Sequence, residues 1–335
     1  MRRFGATILD IEGFALTQNE KAFFRDVNPF GFILFARNIK SAEQVRFLCG
    51  ELREAVGHDA LITIDQEGGR VQRLRPPLAR VWPSPLDHVT DSGSLASRVI
   101  WLRYRIIAAE LRRLGIDSNC APVVDLAHEN THAFLYNRCL GTTVDQVVRL
   151  GLEAVKAHLE AGVLPVIKHV PGHGRAVIDS HYSLPCVDES LDTLKKTDFA
   201  VFRALTEAPM AMTAHVVFSA LDEEPATLSR ATMHYIRTNI GYKGLVLSDD
   251  IAMDALSGNL PYRSKQALAA GCDVVLCCNR CLDDRICVAE ACGDMSEDSQ
   301  MRAEAALRLR HSRVDIDIDD LVTELNSLVR AWPYG

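Results

Sequence analysis

The feature that most constrains the fold is a repeated alternation of short apolar, β-branched runs with helix-like stretches. Such an alternation is typical of β-α units that build a parallel sheet. The runs cover residues 6–11, 31–35, 61–65, 118–126, 163–170, 210–217, 244–250 and 272–278. Because eight strands are the number that a closed barrel needs, the sequence predicts an α/β fold with a single (β/α)₈ TIM-type barrel.

The stretches between the runs show helical periodicity and have clear ends. Apolar residues recur at helical spacing in 95–114, which Gly115 follows as a stop, and 145–161 ends in the same way at Gly162. No Ser- or Pro-rich linker, charge block, low-complexity tract or repeat divides the chain. We therefore expect residues 1–335 to form one domain, with closing helices after about residue 300.

Composition narrows the class of protein and its partners. The 335 residues are 48% hydrophobic and 24% charged, as in ordinary globular enzymes. The net charge of −7 and the even spread of Lys and Arg argue against nucleic-acid binding. The first apolar run breaks at Asp10 and Glu12, too early for a signal peptide, and no stretch is long enough to span a membrane. We expect a cytoplasmic monomer with neither nucleic-acid nor membrane partners.

Six of the ten cysteines lie between residues 272 and 292, where Cys278 and Cys281 form a C-x-x-C pair. Such a pair can bind a metal or carry out redox chemistry. However, no second pair follows, and Cys277 and Cys278 end an apolar run in which cysteine behaves as a small hydrophobic residue. We interpret the cysteines as reduced, packed thiols. The chain also lacks the glycine-rich motifs that bind nucleotides, so we expect no organic cofactor.

Ionisable residues follow directly after several of the predicted strands. In this type of barrel the active site is built at the carboxyl ends of the strands and in the loops that follow them. The residues that meet this condition are Asp65, Asp125, Lys168, His169, His215, Asp249 and Asp250. A purely structural strand end would more often run into Gly, Asn or Pro. The sequence therefore predicts an active site among these residues.

The stretch 64–74 places Asp65 at a strand end, followed by a Gly-Gly pair and by Arg70 and Arg73. A carboxylate and a guanidinium that reach one pocket can hold neighbouring sugar hydroxyls by charge-assisted hydrogen bonds. A salt bridge at the start of a helix is the structural alternative.

The stretch 168–185 is too polar and too rich in Gly and Pro for a regular element, so it predicts a long, mobile loop above the barrel mouth. Asp179 and His181 are close enough in sequence for the carboxylate to orient the imidazole, which suits proton transfer near neutral pH. Two alternatives remain open: a solvated loop without function, and a hydrolytic metal site. The ligands of such a metal site would be His169, His173, Asp179 and His181.

The stretch 245–256 places Asp249 and Asp250 at the end of an apolar strand. Adjacent residues on a strand point in opposite directions, so only one of them can face the barrel axis. A carboxylate at this position is a suitable nucleophile for the anomeric carbon of a sugar. The other aspartate would cap the following helix.

Five segments, in the right order, carry a family resemblance that spans about residues 5–280. These segments are 31–39, 65–74, 168–181, 213–218 and 247–256, and the third reads KH-x-PGHG-x-A-x-x-DSH. In these motifs the chain resembles the bacterial family 3 β-N-acetylglucosaminidases of the NagZ type.

The resemblance implies a retaining hydrolase that removes terminal N-acetyl-β-D-glucosamine. Its implied substrate is the linkage to 1,6-anhydro-N-acetylmuramic acid in peptidoglycan fragments that are recycled in the cytoplasm. Matched by motif, Asp249 is the nucleophile and Asp179 with His181 forms an acid/base dyad. The residues that would hold the sugar are Asp65, Arg73, Arg138, Lys168 and His169. This chemistry needs no metal or organic cofactor.

Three other functions remain open at this point. A metal-dependent amidase or deacetylase would use the loop histidines on the same sugars. A non-catalytic sugar-binding barrel would keep Asp65 and Arg73 but would not need Asp249. An N-acetylglucosamine phosphorylase is also possible, because a histidine acid/base tolerates phosphate as acceptor where an anionic carboxylate would repel it.

Overall fold

The computed structural model describes residues 3–180, 182–311 and 317–329. The strands in these ranges are β1 (Gly5–Leu9), β2 (Pro29–Leu34), β3 (Leu61–Ile64), β4 (Gln66–Gly68), β5 (Val71–Gln72), β6 (Ser118–Asn119), β7 (Leu164–Val170), β8 (Cys186–Val187), β9 (Met210–Thr213), β10 (Val217–Phe218), β11 (Leu245–Asp250) and β12 (Val274–Cys277). The α-helices are α1 (Gln18–Val27), α2 (Ala42–Val56), α3 (Pro85–Ser92), α4 (Ala96–Arg113), α5 (Ala133–Tyr136), α6 (Val144–Glu160), α7 (Leu191–Lys196), α8 (Asp198–Ala204), α9 (Arg230–Tyr235), α10 (Leu260–Ala270), α11 (Leu282–Cys292), α12 (Glu297–Arg308) and α13 (Ile318–Leu328).

Eight of these strands form one parallel sheet in the order β3-β2-β1-β12-β11-β9-β7-β6. The two ends of the sheet meet, since the amide of Asp117 donates to Ile62 O at 3.1 Å and that of Cys120 donates to Ile64 O at 2.8 Å. The sheet thereby closes on itself with helices outside. This arrangement confirms the predicted (β/α)₈ barrel.

Each of the eight strands overlaps one predicted apolar run, but β6 is much shorter than the run 118–126. The reason is Pro122, which has no N–H to donate to the neighbouring strand. Pairing with β7 resumes beyond it, where the amide of Val124 donates to Lys168 O at 2.9 Å. The interruption lies at the carboxyl end of the barrel, close to Asp125.

The two predicted helices match α4 and α6 to within one residue at each end. Thr143 caps α6 by accepting a hydrogen bond from the amide of Gln146, and Gly115 (φ 83°) and Gly162 (φ 70°) follow the two helices in left-handed conformations. Both positions suit glycine because it lacks a Cβ. The two helices pack against each other on the outside of the barrel.

Apolar side chains of the strands and of the inner helix faces form one large buried cluster that includes the barrel interior. Two small additions lie over the carboxyl ends: the antiparallel pair of β4 and β5, and the parallel pair of β8 and β10. Within the described ranges, no helix is both long and apolar enough to cross a bilayer. The described part of the chain includes all ten cysteines, and none of them forms a disulfide.

Candidate active site

A cavity of about 300 Å³ opens at the carboxyl ends of the barrel strands. It is lined by six of the residues predicted from the sequence, namely Asp65, Arg73, Arg138, Lys168, His169 and Asp249. They come from the ends of β3, β7 and β11 and from the loops that follow β3 and β6. Parallel strands bring these distant parts of the chain to one end of the barrel, as expected for this fold.

Asp249 lies near the end of β11, and its side chain, 17% exposed, lines the cavity. The amide of Asp250 donates to its Oδ1 at 2.8 Å, and His169 Nε2 lies 4.0 Å from its Oδ2. Burial on its own would raise the pKa of Asp249, but the nearby His215 and His169 and this amide together hold the pKa below its ordinary value. Asp249 is therefore an ionised carboxylate near neutral pH.

Asp250 has a different environment and holds the local chain. Its Oδ1 accepts hydrogen bonds from the amides of Ala252 at 3.1 Å and Cys278 at 3.0 Å, and its carbonyl accepts one from His215 Nε2 at 3.0 Å. Burial, together with the charge of Asp249, raises the pKa of Asp250 to about 7. The adjacent aspartates thus differ, as the strand geometry predicts. The expectation that the second one caps the following helix is wrong, because α10 begins only at Leu260 and is capped by Asn259, whereas Asp250 fixes the turn after β11.

Cationic groups form another side of the cavity. Asp65 accepts hydrogen bonds from Arg73 Nη2 at 3.0 Å and from Lys168 Nζ at 3.1 Å. Burial opposes ionisation of Asp65, but these two cations lower its pKa below the ordinary value. The salt bridge considered as an alternative from the sequence is therefore present, and it lies in the cavity rather than at the start of a helix.

Glu67 joins Lys168 to Arg138 and was not predicted from the sequence. It accepts two hydrogen bonds of 2.9 Å from Nε and Nη2 of Arg138, and Lys168 Nζ lies 2.7 Å from its Oε1. The side chain is only 1% exposed. Its position two residues after Asp65, in the same stretch, was the one indication in the sequence. The sequence does not show which cations lie next to it, so its role in a buried ion pair could not be predicted.

His169 is held by Asp125, a strand-end residue for which the sequence suggested no role. His169 Nδ1 donates to Asp125 Oδ2 at 2.7 Å, while the amides of His169 and His173 donate to Oδ1 at 3.1 and 2.7 Å. Asp125 is fully buried. The carboxylate fixes the imidazole so that Nε2 points towards Asp249.

The loop after β7 contains no helix or strand in residues 171–180. Asp179 is half-buried, and its carbonyl accepts hydrogen bonds from the amides of Tyr182 and Ser183, each at 3.1 Å. His181 lies outside the described residues, so the predicted dyad stays a prediction. Ser180, between the two, lines the cavity.

The metal-site alternative rests on histidines of this loop. Within the described ranges, no group of three or more His, Cys, Asp or Glu side chains is arranged to hold a metal ion. His215, also at a strand end, lies behind the cavity and bonds Thr227 Oγ1 at 2.7 Å through Nδ1. Its second ring nitrogen is used by Asp250, so both nitrogens have protein partners.

Known proteins share this architecture and much of the sequence. Residues 7–309 match the N-terminal domain of glycosyl hydrolase family 3. A beta-hexosaminidase of Neisseria gonorrhoeae is 37% identical over 290 residues, which cover 82% of this chain and 78% of that protein. A beta-hexosaminidase of Pseudomonas aeruginosa is 36% identical over 282 residues, which cover 82% of each chain.

Solved structures give the same result. NagZ from Neisseria gonorrhoeae, in complex with N-trifluoroacetyl-D-glucosamine, superposes with a TM-score of 0.84 at 31% identity and covers 97% of this chain and 98% of that one. A family 3 beta-N-acetylglucosaminidase from Paenibacillus superposes with a TM-score of 0.87 at 29% identity, over 97% of this chain and 67% of that one. The chain therefore belongs to glycoside hydrolase family 3 and is a glycosidase of the β-N-acetylhexosaminidase type.

Proposed function

We propose that this enzyme removes terminal N-acetyl-β-D-glucosamine with retention of configuration, through a covalent intermediate on Asp249. The observation that carries the proposal is an ionised, accessible Asp249 carboxylate that shares one cavity with a fixed cluster of sugar-binding groups. Such a carboxylate can attack an oxocarbenium-like anomeric carbon.

The sugar hydroxyls are bound by Asp65, Arg73, Arg138, Lys168 and His169. Lys168 has three N–H groups and uses two on Asp65 and Glu67, which leaves one for substrate. Arg138 uses Nε and Nη2 on Glu67, which leaves the N–H groups of Nη1 outside that pair. These groups can donate to hydroxyls, while the carboxylate of Asp65 can accept from them.

The proton for the leaving group comes from the loop after β7, where Asp179 and His181 act as an acid/base dyad. Most retaining glycosidases use a second carboxylic acid, but the carboxylates in the described lining of the cavity do not suit that role. Asp65 is held ionised by two cations, and Asp250 lies on the nucleophile's side of the site, since its amide binds Asp249. Another acid is therefore needed, and we assign this role to His181 because the loop motif of the family contains it.

The natural substrate in this proposal is N-acetylglucosaminyl-1,6-anhydro-N-acetylmuramic acid, with or without its peptide, during peptidoglycan recycling in the cytoplasm. The family resemblance supports this choice, and the NagZ structure with a glucosamine derivative agrees with the sugar.

The test uses 4-nitrophenyl N-acetyl-β-D-glucosaminide with the wild-type enzyme, Asp249→Ala and the control Asp254→Asn, whose side chain is exposed on the same loop. We expect the wild type and Asp254→Asn to release nitrophenol and N-acetylglucosamine. We expect Asp249→Ala to lose at least about 10⁴-fold in kcat. Intact-protein mass spectrometry of the rapidly quenched wild type should show a transient glycosyl adduct that Asp249→Ala lacks.

Two further arms separate the alternatives. Added phosphate that yields N-acetylglucosamine 1-phosphate would assign a phosphorylase, and loss of activity in a chelator would assign metal-dependent chemistry. Binding of N-acetylglucosamine without turnover would assign a sugar-binding barrel. Full activity of Asp249→Ala would overturn the proposed mechanism.

A further inference from the structure

We propose that the hydrogen bond between His173 and Ser180 anchors the loop after β7 at the cavity, so that His173 and Ser180 are positioning residues for the acid/base step. This inference rests on the proposed function, because it concerns the placement of Asp179 and His181. Both residues belong to the loop motif, but neither is part of the proposed dyad or of the sugar-binding cluster.

Burial along the loop changes abruptly at Ser180. Val177 and Tyr182 are 57% and 76% exposed, and Asp179 is half-buried, whereas Ser180 is only 2% exposed. Its hydroxyl lies 3.0 Å from His173 Nε2. In the described part of 177–184, Ser180 is thus the one buried side chain, and it lies in sequence between the two dyad residues.

His173 is itself fixed to the barrel. Its amide donates to Asp125 Oδ1 at 2.7 Å, and its ring contacts Phe134 and His169 edge to face, with centroids 5.5 and 5.4 Å away. The ring is 1% exposed. Burial, and next the neighbouring His169, lowers the pKa of His173 to about 4, so the imidazole is neutral near pH 7. A neutral ring suits a hydrogen bond with a hydroxyl and is poorly suited to proton transfer.

The base of the loop is equally fixed. Thr131 Oγ1 donates to Gly174 O, and Arg175 Nε donates to Asp198 Oδ2 at 2.7 Å. Asp198 is 1% exposed and also contacts His128 Nε2 at 3.1 Å. The loop is therefore tied to the barrel at Gly174 and Arg175, and Ser180 is a further buried anchor beyond them.

One connected series of contacts thus links the nucleophile to this segment. Asp249 is 4.0 Å from His169, which binds Asp125, whose other oxygen holds the amide of His173. His173 then holds Ser180. The separation between nucleophile and acid must be kept within a fraction of an ångström for both to act on one glycosidic bond. The series gives Asp249 and Ser180 the same buried support.

The test exploits the leaving group. A 2,4-dinitrophenyl glycoside departs without protonation, whereas a phenyl glycoside needs the acid. We expect Ser180→Ala to lower kcat/KM for phenyl N-acetyl-β-D-glucosaminide by at least about tenfold, and for the dinitrophenyl glycoside by less than about threefold. Ser183→Ala, which removes an exposed hydroxyl three residues away, should change neither. The melting temperature of Ser180→Ala should stay within about 3 °C of the wild type.

The variant His181→Ala separates this inference from the proposed function. If His181→Ala shows the leaving-group dependence but Ser180→Ala loses both substrates equally, or neither, the positioning role is wrong and the dyad stands. If His181→Ala itself loses both substrates equally, the dyad is wrong, and the positioning role fails with it.

Discussion

Glu67 is a buried carboxylate that is shared by two cations of the site. It is buried against Arg138 and Lys168, and although burial alone would raise its pKa, these cations lower the pKa to about 2. Asp65 and Glu67 together form ion pairs with three cations, Arg73, Lys168 and Arg138, all of which line the cavity. The arrangement of the sugar-binding groups therefore depends on a carboxylate that need not touch the sugar.

Glu67→Gln should separate binding from chemistry. The amide keeps one acceptor oxygen but turns N–H groups towards a cation, so either Arg138 or Lys168 loses its partner. We expect KM to rise about tenfold with kcat changed less than about threefold, and the free energy of unfolding to fall by about 2–4 kcal/mol. Steady-state kinetics and urea unfolding measure both, with the exposed Glu290→Gln as control. A fall in kcat at constant KM would contradict the binding role.

Among the elements, the loop after β7 depends on a close approach between two backbones. A Cβ on Gly174 would lie 1.8 Å from the carbonyl oxygen of Leu126, which cannot move without shifting the chain beside Asp125. We expect Gly174→Ala to lower kcat/KM by about 100-fold and to destabilise the fold.

Gly50→Ala is a matched control for that substitution. Gly50 lies inside α2, where an added Cβ meets no atom within 4 Å. This change should keep full activity and stabilise the protein by about 0.5–1 kcal/mol, because alanine loses less conformational entropy in a helix. Kinetics and thermal melting of both variants check the pair. Wild-type activity of Gly174→Ala would show that the loop base tolerates displacement.

Strand and helix positions were predictable from the sequence because they depend on local periodicity. The ends of β11 and β7 placed Asp249, Lys168 and His169 correctly at one end of the barrel. Glu67 and Asp125 could not be assigned in this way, because their roles depend on buried partners 71 and 44 residues away in sequence. Periodicity predicts which face of a strand or helix a residue occupies. The partner of a buried ionic group, by contrast, is determined only when the strands pack into the barrel.

At the scale of the whole molecule, buried groups with shifted pKa values make opposite contributions to the free energy of unfolding in acid. Burial lowers the pKa of His88 to about 3 and that of His158 to about 4, and His58 and His215 shift in the same direction. Glu110 behaves oppositely, since burial raises its pKa to about 7. Among the described residues, the histidines with a lowered pKa outnumber the carboxyl groups with a raised pKa. Unfolding therefore takes up protons below about pH 6.5. Stability should therefore fall as the pH drops from about 6.5 to about 4.

His158 gives the sharpest test of this linkage. The Oδ1 of Asn119 accepts a hydrogen bond from the amide of Gln66 at 3.0 Å, so Nδ2 of Asn119 donates to His158 Nε2, also at 3.0 Å. The other ring nitrogen, His158 Nδ1, donates to Ala154 O at 2.8 Å. A proton on Nε2 would face another donor, which keeps the ring neutral. Its folded pKa lies below its unfolded value, so its contribution is complete above about pH 6.5 and is lost as the pH falls towards about 4.

His158→Gln removes this proton from the balance but keeps an oxygen that can accept from Asn119. We expect the slope of the unfolding free energy against pH, between about pH 4.5 and about pH 6, to decrease by about 1.4 kcal/mol per pH unit. Urea unfolding of the wild type, His158→Gln and the exposed control His234→Gln at several pH values measures the three slopes. An unchanged slope in His158→Gln would mean that the native barrel accommodates a charged imidazole at this site. A decrease in that variant alone would show that this buried contact, beneath the turn that carries Asp65 and Glu67, contributes to the loss of stability in acid.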